Sequence, residues 1–297
     1  MAEHKIKEDN SLKLIPNLYN KTKYGAHYRL LKFYLSHGLV LKKIHTVISF
    51  DQEPWLESYI DLNTRIRAQA KTDFEKNSPK LMNCSIYGKT CENIRNRRDI
   101  KLCTTAKKAQ RLFNKPKFKD FTIFKNDELI AVEMAKTKIK YDKPVYLGTC
   151  ILDLSKLLMY EFHYDFIKPL YGEKAELLFT DTDSLCYEIQ TEDVYEDMLK
   201  HKDKFDFSEY PKNHKCYDET NKKVIGKFKD EAKGRIITEF IGLRPKLYSY
   251  IIEGDKEELK NLKLKQENKK GKGIKETVIK NKLTHENYRK ALFGEEK

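Results

Sequence analysis

Hydrophobic positions change their period along the chain, and the change separates a helical stretch from a strand-rich one. In "YGAHYRLLKFYLSHGLVLKKIHTVISF", Tyr28, Leu31 and Leu35 recur at helical spacing. That predicts a helix stopped near Gly38, and the β-branched run behind it predicts a strand. "PWLESYIDLNTRIRAQAKTDFEK" reads as helix, with Pro54 where a first turn tolerates it. "LMNCSIYGKTCENIRN" continues as helix, interrupted by Pro79. "FTIFKNDELIAVEM" and "KPVYLGTCILDLS" then read as short strands. "SKLLMYEFHYDFIKPLYG" returns to helix, with Leu157, Leu158, Phe162 and Phe166 on its apolar face. Ser155 or Asp153 can cap it, and Pro169 with Gly172 ends it.

"LLFTDTDSLCYEI", Leu177 to Ile189, sets two apolar runs around a polar tip and predicts a β-hairpin. A charged helix follows in "TEDVYEDMLKHKDKF", and "GRIITEFIGLRPKLYSYII" supplies one or two more strands. Residues 1–20 read as an irregular entry, and "KQENKKGKGIK" as a mobile linker before a last helix. The outline is α+β, with a helical lobe ahead of a small sheet.

Composition adds a partner to this outline. The chain has 297 residues, 39% hydrophobic and 11% aromatic, which suffices for a core. Its 59 Lys and Arg against 45 Asp and Glu leave a net charge of +14, which a polyanionic partner explains most simply. No stretch approaches the roughly 18 apolar residues of a membrane span, so no membrane partner is expected. The opening "MAEHKIKEDN" carries acids and no apolar run, unlike a signal peptide. Cys84, Cys91, Cys103, Cys150, Cys186 and Cys216 form no C-x-x-C pair, which predicts a reduced, intracellular protein, nuclear or cytoplasmic.

The hairpin tip supplies candidate chemistry. Residues two apart in a strand face the same way, so Asp181 and Asp183 would present side-by-side carboxylates. Such neighbours repel unless a cation lies between them. Paired carboxylates suit Mg²⁺, and two such ions about 3.5–4 Å apart serve phosphoryl displacement. A plain solvated turn rich in Asp is the structural alternative. A calcium loop counted from Asp181 fails, because Leu185 and Cys186 fall where a ligand and a glycine are required.

The tip "FTDTDSL" resembles motif C, Y-x-D-T-D-S, of family B DNA polymerases, with Phe179 in place of Tyr. "KLMNCSIYGKT", Lys80 to Thr90, resembles motif B, K-x-x-x-N-S-x-Y-G. "RPKLYSY" resembles the K-x-Y motif through Lys246 and Tyr248. The three occur in the family's order, and the chain from about Tyr24 is most similar to protein-primed enzymes of viruses and mobile elements. The resemblance implies a polymerase palm with an antiparallel sheet, a helical fingers insertion and a partial thumb. It divides the chain into a palm-related segment (1–50), fingers helices (51–98), palm with catalytic hairpin (99–228), and the K-x-Y region with the start of the thumb (229–297).

It also implies roles. Asp181 and Asp183 would hold two Mg²⁺ ions, with Asp183 the stronger candidate for a direct ligand. Thr182 and Ser184 would lie near the primer end. Lys80, with Lys76 one turn back, would bind the incoming triphosphate, and Tyr87 and Gly88 would pack on the nascent base pair. Lys246 and Tyr248 would touch the primer–template duplex. The implied partners are primer–template DNA, deoxynucleoside triphosphates and a terminal priming protein.

The sequence departs from the family at three places. Cys84 stands where motif B carries Asn. Pro79 is expected to restart the fingers helix, capped by Ser78 or Asn77, leaving Lys76 outside it. Motif A, D-x-x-S-L-Y-P, occurs nowhere ahead of Lys80, and "DLSKLLMY" at Asp153 follows motif B rather than preceding it. The expectation is a C-terminal piece of a DNA-directed DNA polymerase, without motif A or exonuclease, that polymerises little or nothing alone. The alternative is a catalytically inactive DNA-binding remnant of a mobile-element polymerase.

Overall fold

The computed structural model describes residues 2–8, 11–124 and 129–294, an α+β arrangement of antiparallel sheets and helices. The chain divides into two compact units, Met1–Leu154 and Ser155–Lys297. Among the described residues no helix is long and apolar enough to cross a membrane.

The first unit opens with an antiparallel hairpin, β1 (Ala2–Glu8) and β2 (Ser11–Asn17), where an irregular entry was expected. Helix α1 (Tyr28–Ser36) is capped by His27, whose ring accepts a hydrogen bond from the Arg29 N–H. Its buried face is Leu30, Phe33 and Tyr34, whereas Tyr28 and Leu35 of the expected face are exposed. Gly38, at φ 88°, follows the helix end as anticipated. The strand expected beyond it does not form: residues 39–53 have no regular structure, and Val40, Ile44, Val47 and Ile48 are exposed. β propensity needs a ladder partner, and none of the described residues pairs with this run.

Helices α2 (Glu57–Gln69) and α3 (Asp73–Thr90) follow, packed on each other across a short connection. A capping box starts α3: the Thr72 side chain accepts from the Glu75 N–H at 3.2 Å, and Glu75 accepts from the Thr72 N–H at 3.1 Å. The helix therefore begins seven residues before Lys80 and runs through the buried Pro79 unbroken. This corrects the expected restart at Pro79, and Lys76 belongs to the same helix as Lys80.

A small module comes next: β3 (Asp99–Cys103), α4 (Ala106–Phe113), β4 (Phe118–Ile123) and β5 (Ile130–Met134), with strand order β3-β5-β4. Ala109 of α4 packs on Cys103, Val132 and Met134. The expected strands in "FTIFKNDELIAVEM" are β4 and β5; residues 125–128 between them lie outside the described residues.

"KPVYLGTCILDLS" is helix, not strand: α5 spans Val145–Tyr160. A Cβ on Gly148 would come within 2.1 Å of Cys91 Sγ, so a larger residue there would force the Cys91 side chain aside where α5 meets the end of α3. Asp153 consequently sits inside the helix rather than capping one. Its buried carboxylate accepts the His27 N–H at 2.7 Å and so holds the start of α1.

In the second unit the helix continues through a wide π segment, Glu161–Ile167, into α6 (Lys168–Tyr171), and ends at Gly172 with φ 58°. Leu157, Met159, His163, Phe166 and Ile167 are its buried side chains, whereas Leu158 is partly exposed. Strands β6 (Ala175–Thr180) and β7 (Leu185–Ile189) form the anticipated hairpin. Helix α7 (Val194–Lys200), capped by Asp193, leads into a long connection. Its Phe205, Phe207, Tyr210 and Cys216 pack with Phe166, Ile167 and Ala175 as the core of this unit.

Strands β8 (Ile237–Arg244) and β9 (Leu247–Ile252) form a second hairpin, and helix α8 (Lys256–Asn261) follows. The expected mobile linker is instead strand β10 (Glu267–Gly271), paired to β9 from Leu247 to Ile251. Helices α9 (Glu276–Asn281) and α10 (His285–Phe293) end the described chain. The buried Ser249 and His285 are 2.8 Å apart and tie α10 to the sheet.

Candidate metal and nucleic-acid site

Two hairpin tips meet in the second unit. The first is a two-residue loop, Thr182–Asp183, closed by the Asp181 N–H to the Ser184 carbonyl at 3.1 Å and the reverse bond at 3.3 Å. The Asp181 carbonyl also accepts the Asp183 N–H at 2.6 Å and the Ser184 hydroxyl at 3.3 Å. Thr182 occupies the first central position at φ 58°, where such tight loops favour Gly. A β-branched residue there is strained, and strain of this kind gathers at functional sites.

This geometry revises the relation between the two acids. The period-two rule does not carry across a loop: β6 ends at Thr180, Asp181 follows it, and Asp183 stands on the tip. Asp183 is exposed and Asp181 is partly covered. Strand β6 carries one extra residue between Leu177 and Phe179, a bulge that sets Phe179 opposite Cys186 just before the tip. Burial pushes the Cys186 thiol up to about 11, which makes it a packing residue.

The second tip is Pro245–Lys246, between Arg244 and Leu247. Pro245 fixes one turn position, and Lys246 takes the other at φ 61°, again where Gly or Asn is usual. The Lys246 carbonyl accepts the Lys272 N–H at 2.9 Å, which anchors the turn from beyond β10. From there the Lys246 ammonium forms an ion pair with the Asp181 carboxylate, 65 residues earlier. Two residues on, the Tyr248 ring stacks on Phe179 at 4.4 Å, and Phe179 also stacks on Phe240 at 5.7 Å. Burial, then the nearby Asp181 charge, raises the Tyr248 hydroxyl above its ordinary value.

The structure thus brings Asp181, Thr182, Asp183, Ser184, Lys246 and Tyr248 into one neighbourhood. Lys246, assigned to the duplex by sequence, contacts Asp181. Phe179 was noted in the sequence only as a replacement for Tyr; its stacking partner comes from another hairpin, and no local signal announces it. Behind β7, His163 shares a 2.9 Å hydrogen bond with the Tyr187 hydroxyl. Burial, then Lys168, lowers the His163 imidazole below its usual value.

The remaining candidates lie on α3 in the first unit. Lys76 and Lys80 are exposed one turn apart, and Lys76 approaches Asp73 at 4.0 Å. Tyr87 is half-buried, with its hydroxyl raised by burial and then by Cys91, while Gly88 is exposed with open space where a side chain would be. Cys84 is exposed; the neighbouring Asn83 turns its Oδ1 inward, shut off from solvent and without a hydrogen-bond partner among the described residues.

The donor set at the hairpin tip fits a hard cation. Both groups are carboxylates, and one already holds a positive charge, the Lys246 ammonium. Among the described residues no group of three or more His, Cys, Asp or Glu side chains gathers as a metal site. Compared with protein-family models, with curated proteins and with solved structures, the chain finds no match in any of the three.

Proposed function

We propose that the chain carries the metal-binding and duplex-contacting part of a DNA-directed DNA polymerase of the protein-primed family B kind. The observation that carries this reading is the meeting of two motifs distant in sequence: Lys246 on Asp181 and Tyr248 on Phe179. In the polymerase reading, D-T-D-S and K-x-Y serve the same primer end, and their juxtaposition supports it.

In this reading Asp181 and Asp183 hold Mg²⁺, which stabilises charge on the attacking and leaving oxygens of nucleotide transfer. Thr182 and Ser184 flank the primer terminus. Lys80 and Lys76 bind the triphosphate as point charges, and Tyr87 and the bare Gly88 backbone face the new base pair. Tyr248 and the lysine-rich sheet beside it contact the duplex. Two carboxylates hold metal weakly, so incorporation by these 297 residues alone is low.

A second reading, DNA binding without chemistry, draws on the same ion pair, because a lysine that permanently neutralised Asp181 would forbid metal there. Primer–template binding and primer extension by the chain and its Asp183→Ala variant separate the two. The polymerase reading predicts salt-weakened binding in both and Mg²⁺-dependent, templated incorporation only in the wild type. No incorporation above that of the variant favours the second reading, and absence of DNA binding overturns both.

A further inference from the structure

We propose that Lys246 is a tethered cation that occupies Asp181 until a divalent ion displaces it, so that the site exchanges an ammonium for a metal rather than filling an open position. The inference rests on the metal-site reading above and concerns how that site is loaded.

The pair is held by backbone geometry rather than by chance side-chain contact. Pro245 restricts the turn, the left-handed Lys246 sets its side chain at the apex, and the Lys272 N–H fixes its carbonyl at 2.9 Å. The Tyr248–Phe179 stack keeps the two hairpins in register. The pair is nonetheless accessible: the Lys246 side chain is 41% exposed and that of Asp181 24%. A buried pair would be locked by desolvation, whereas one this exposed exchanges against solvent ions.

Asp183 explains the order of events. It stands exposed on the tip, with no ion pair among the described residues. An incoming hydrated ion can meet Asp183 first and reach Asp181 as the ammonium leaves. One ion pair breaks and one carboxylate–metal contact forms. The lysine remains protonated and turns outward, where an anionic phosphate can take it. The two carboxylates then face a double positive charge in place of the single one the ammonium supplied, which offsets their mutual repulsion more fully.

The test is Mn²⁺ binding to the full chain, read from the resonance of free Mn²⁺, for wild type, Lys246→Met, Arg244→Met and Asp183→Asn. Exchange predicts that Lys246→Met binds about two- to fivefold more tightly than wild type, the value of a partly exposed ion pair. Arg244→Met removes the same charge from the same hairpin and should change affinity much less. On the unmodified chain, Mn²⁺ should raise labelling of Lys246 by an amine-reactive reagent while the other lysines are unchanged. Equal tightening in both charge variants, unaltered or weaker binding in Lys246→Met, or labelling indifferent to Mn²⁺ overturns the exchange and leaves the metal-site reading standing. Mn²⁺ binding that is absent, or unaffected by Asp183→Asn, overturns both.

Discussion

Phe179 and Tyr248 stack with ring centroids 4.4 Å apart and planes 19° apart, although they come from different hairpins. The stack, with Phe240 beside it, is the apolar joint that sets Lys246 against Asp181. Phe179→Ala should therefore destabilise the chain by about 2 kcal/mol, less than a fully buried Phe because the ring is half-covered. Phe179→Tyr should stay within about 0.5 kcal/mol, since the ring is kept at a position that is only partly buried. Urea unfolding of the three chains measures both.

Thr182 supplies a prediction of opposite sign. Its positive φ costs about 1 kcal/mol for a β-branched residue. Thr182→Gly should raise stability by up to about that amount, and Thr182→Val should not. Denaturation midpoints decide, and a Thr182→Gly chain less stable than wild type would show that the hydroxyl has a stabilising contact.

Helix α3 tolerates Pro79 in its interior because it is nucleated well upstream. The proline removes a backbone hydrogen bond at a cost of about 3 kcal/mol, and the Thr72–Glu75 capping box offsets part of that. Thr72→Ala should cost about 1 kcal/mol and reduce helical circular dichroism. An unchanged spectrum and midpoint would mean that packing against α2 alone holds the helix.

His163 gives a pH dependence. Burial first, then Lys168, lowers its folded-state value, so the unfolded chain binds the proton more readily. The folded form is therefore fully stable above the unfolded histidine value of about 6.5 and loses stability as pH falls below it. His163→Gln removes this contribution. Stability measured near neutrality and at about pH 5.5 should fall less in the variant than in the wild type; equal losses would place the acid sensitivity elsewhere.

What the sequence disclosed and what it withheld divide along the range of the interactions. The D-T-D-S tip and the stop at Gly38 were legible because each is set within a few residues. The helical state of residues 145–154 was not. Its apolar, β-branched run fits either element by local signals. Strand β10 is lysine-rich and reads as linker, yet its backbone completes the ladder of β9. The ion pair of Lys246 with Asp181 could not be read locally, because 65 residues separate its partners. For a related reason strand geometry alone could not place Asp183 relative to Asp181, because the chain bends at Thr182 between them.

In the proposed function the acids at 181 and 183 hold divalent ions beside a nucleic-acid end. Iron-mediated cleavage tests it most directly: Fe²⁺ with ascorbate and peroxide is added to the chain bound to an end-labelled primer–template. Strand cuts are expected to concentrate at the primer 3′ terminus, to be suppressed by excess Mg²⁺ and to be absent with Asp183→Ala. Cuts spread evenly along the duplex, or terminal cuts that persist in Asp183→Ala, would contradict it.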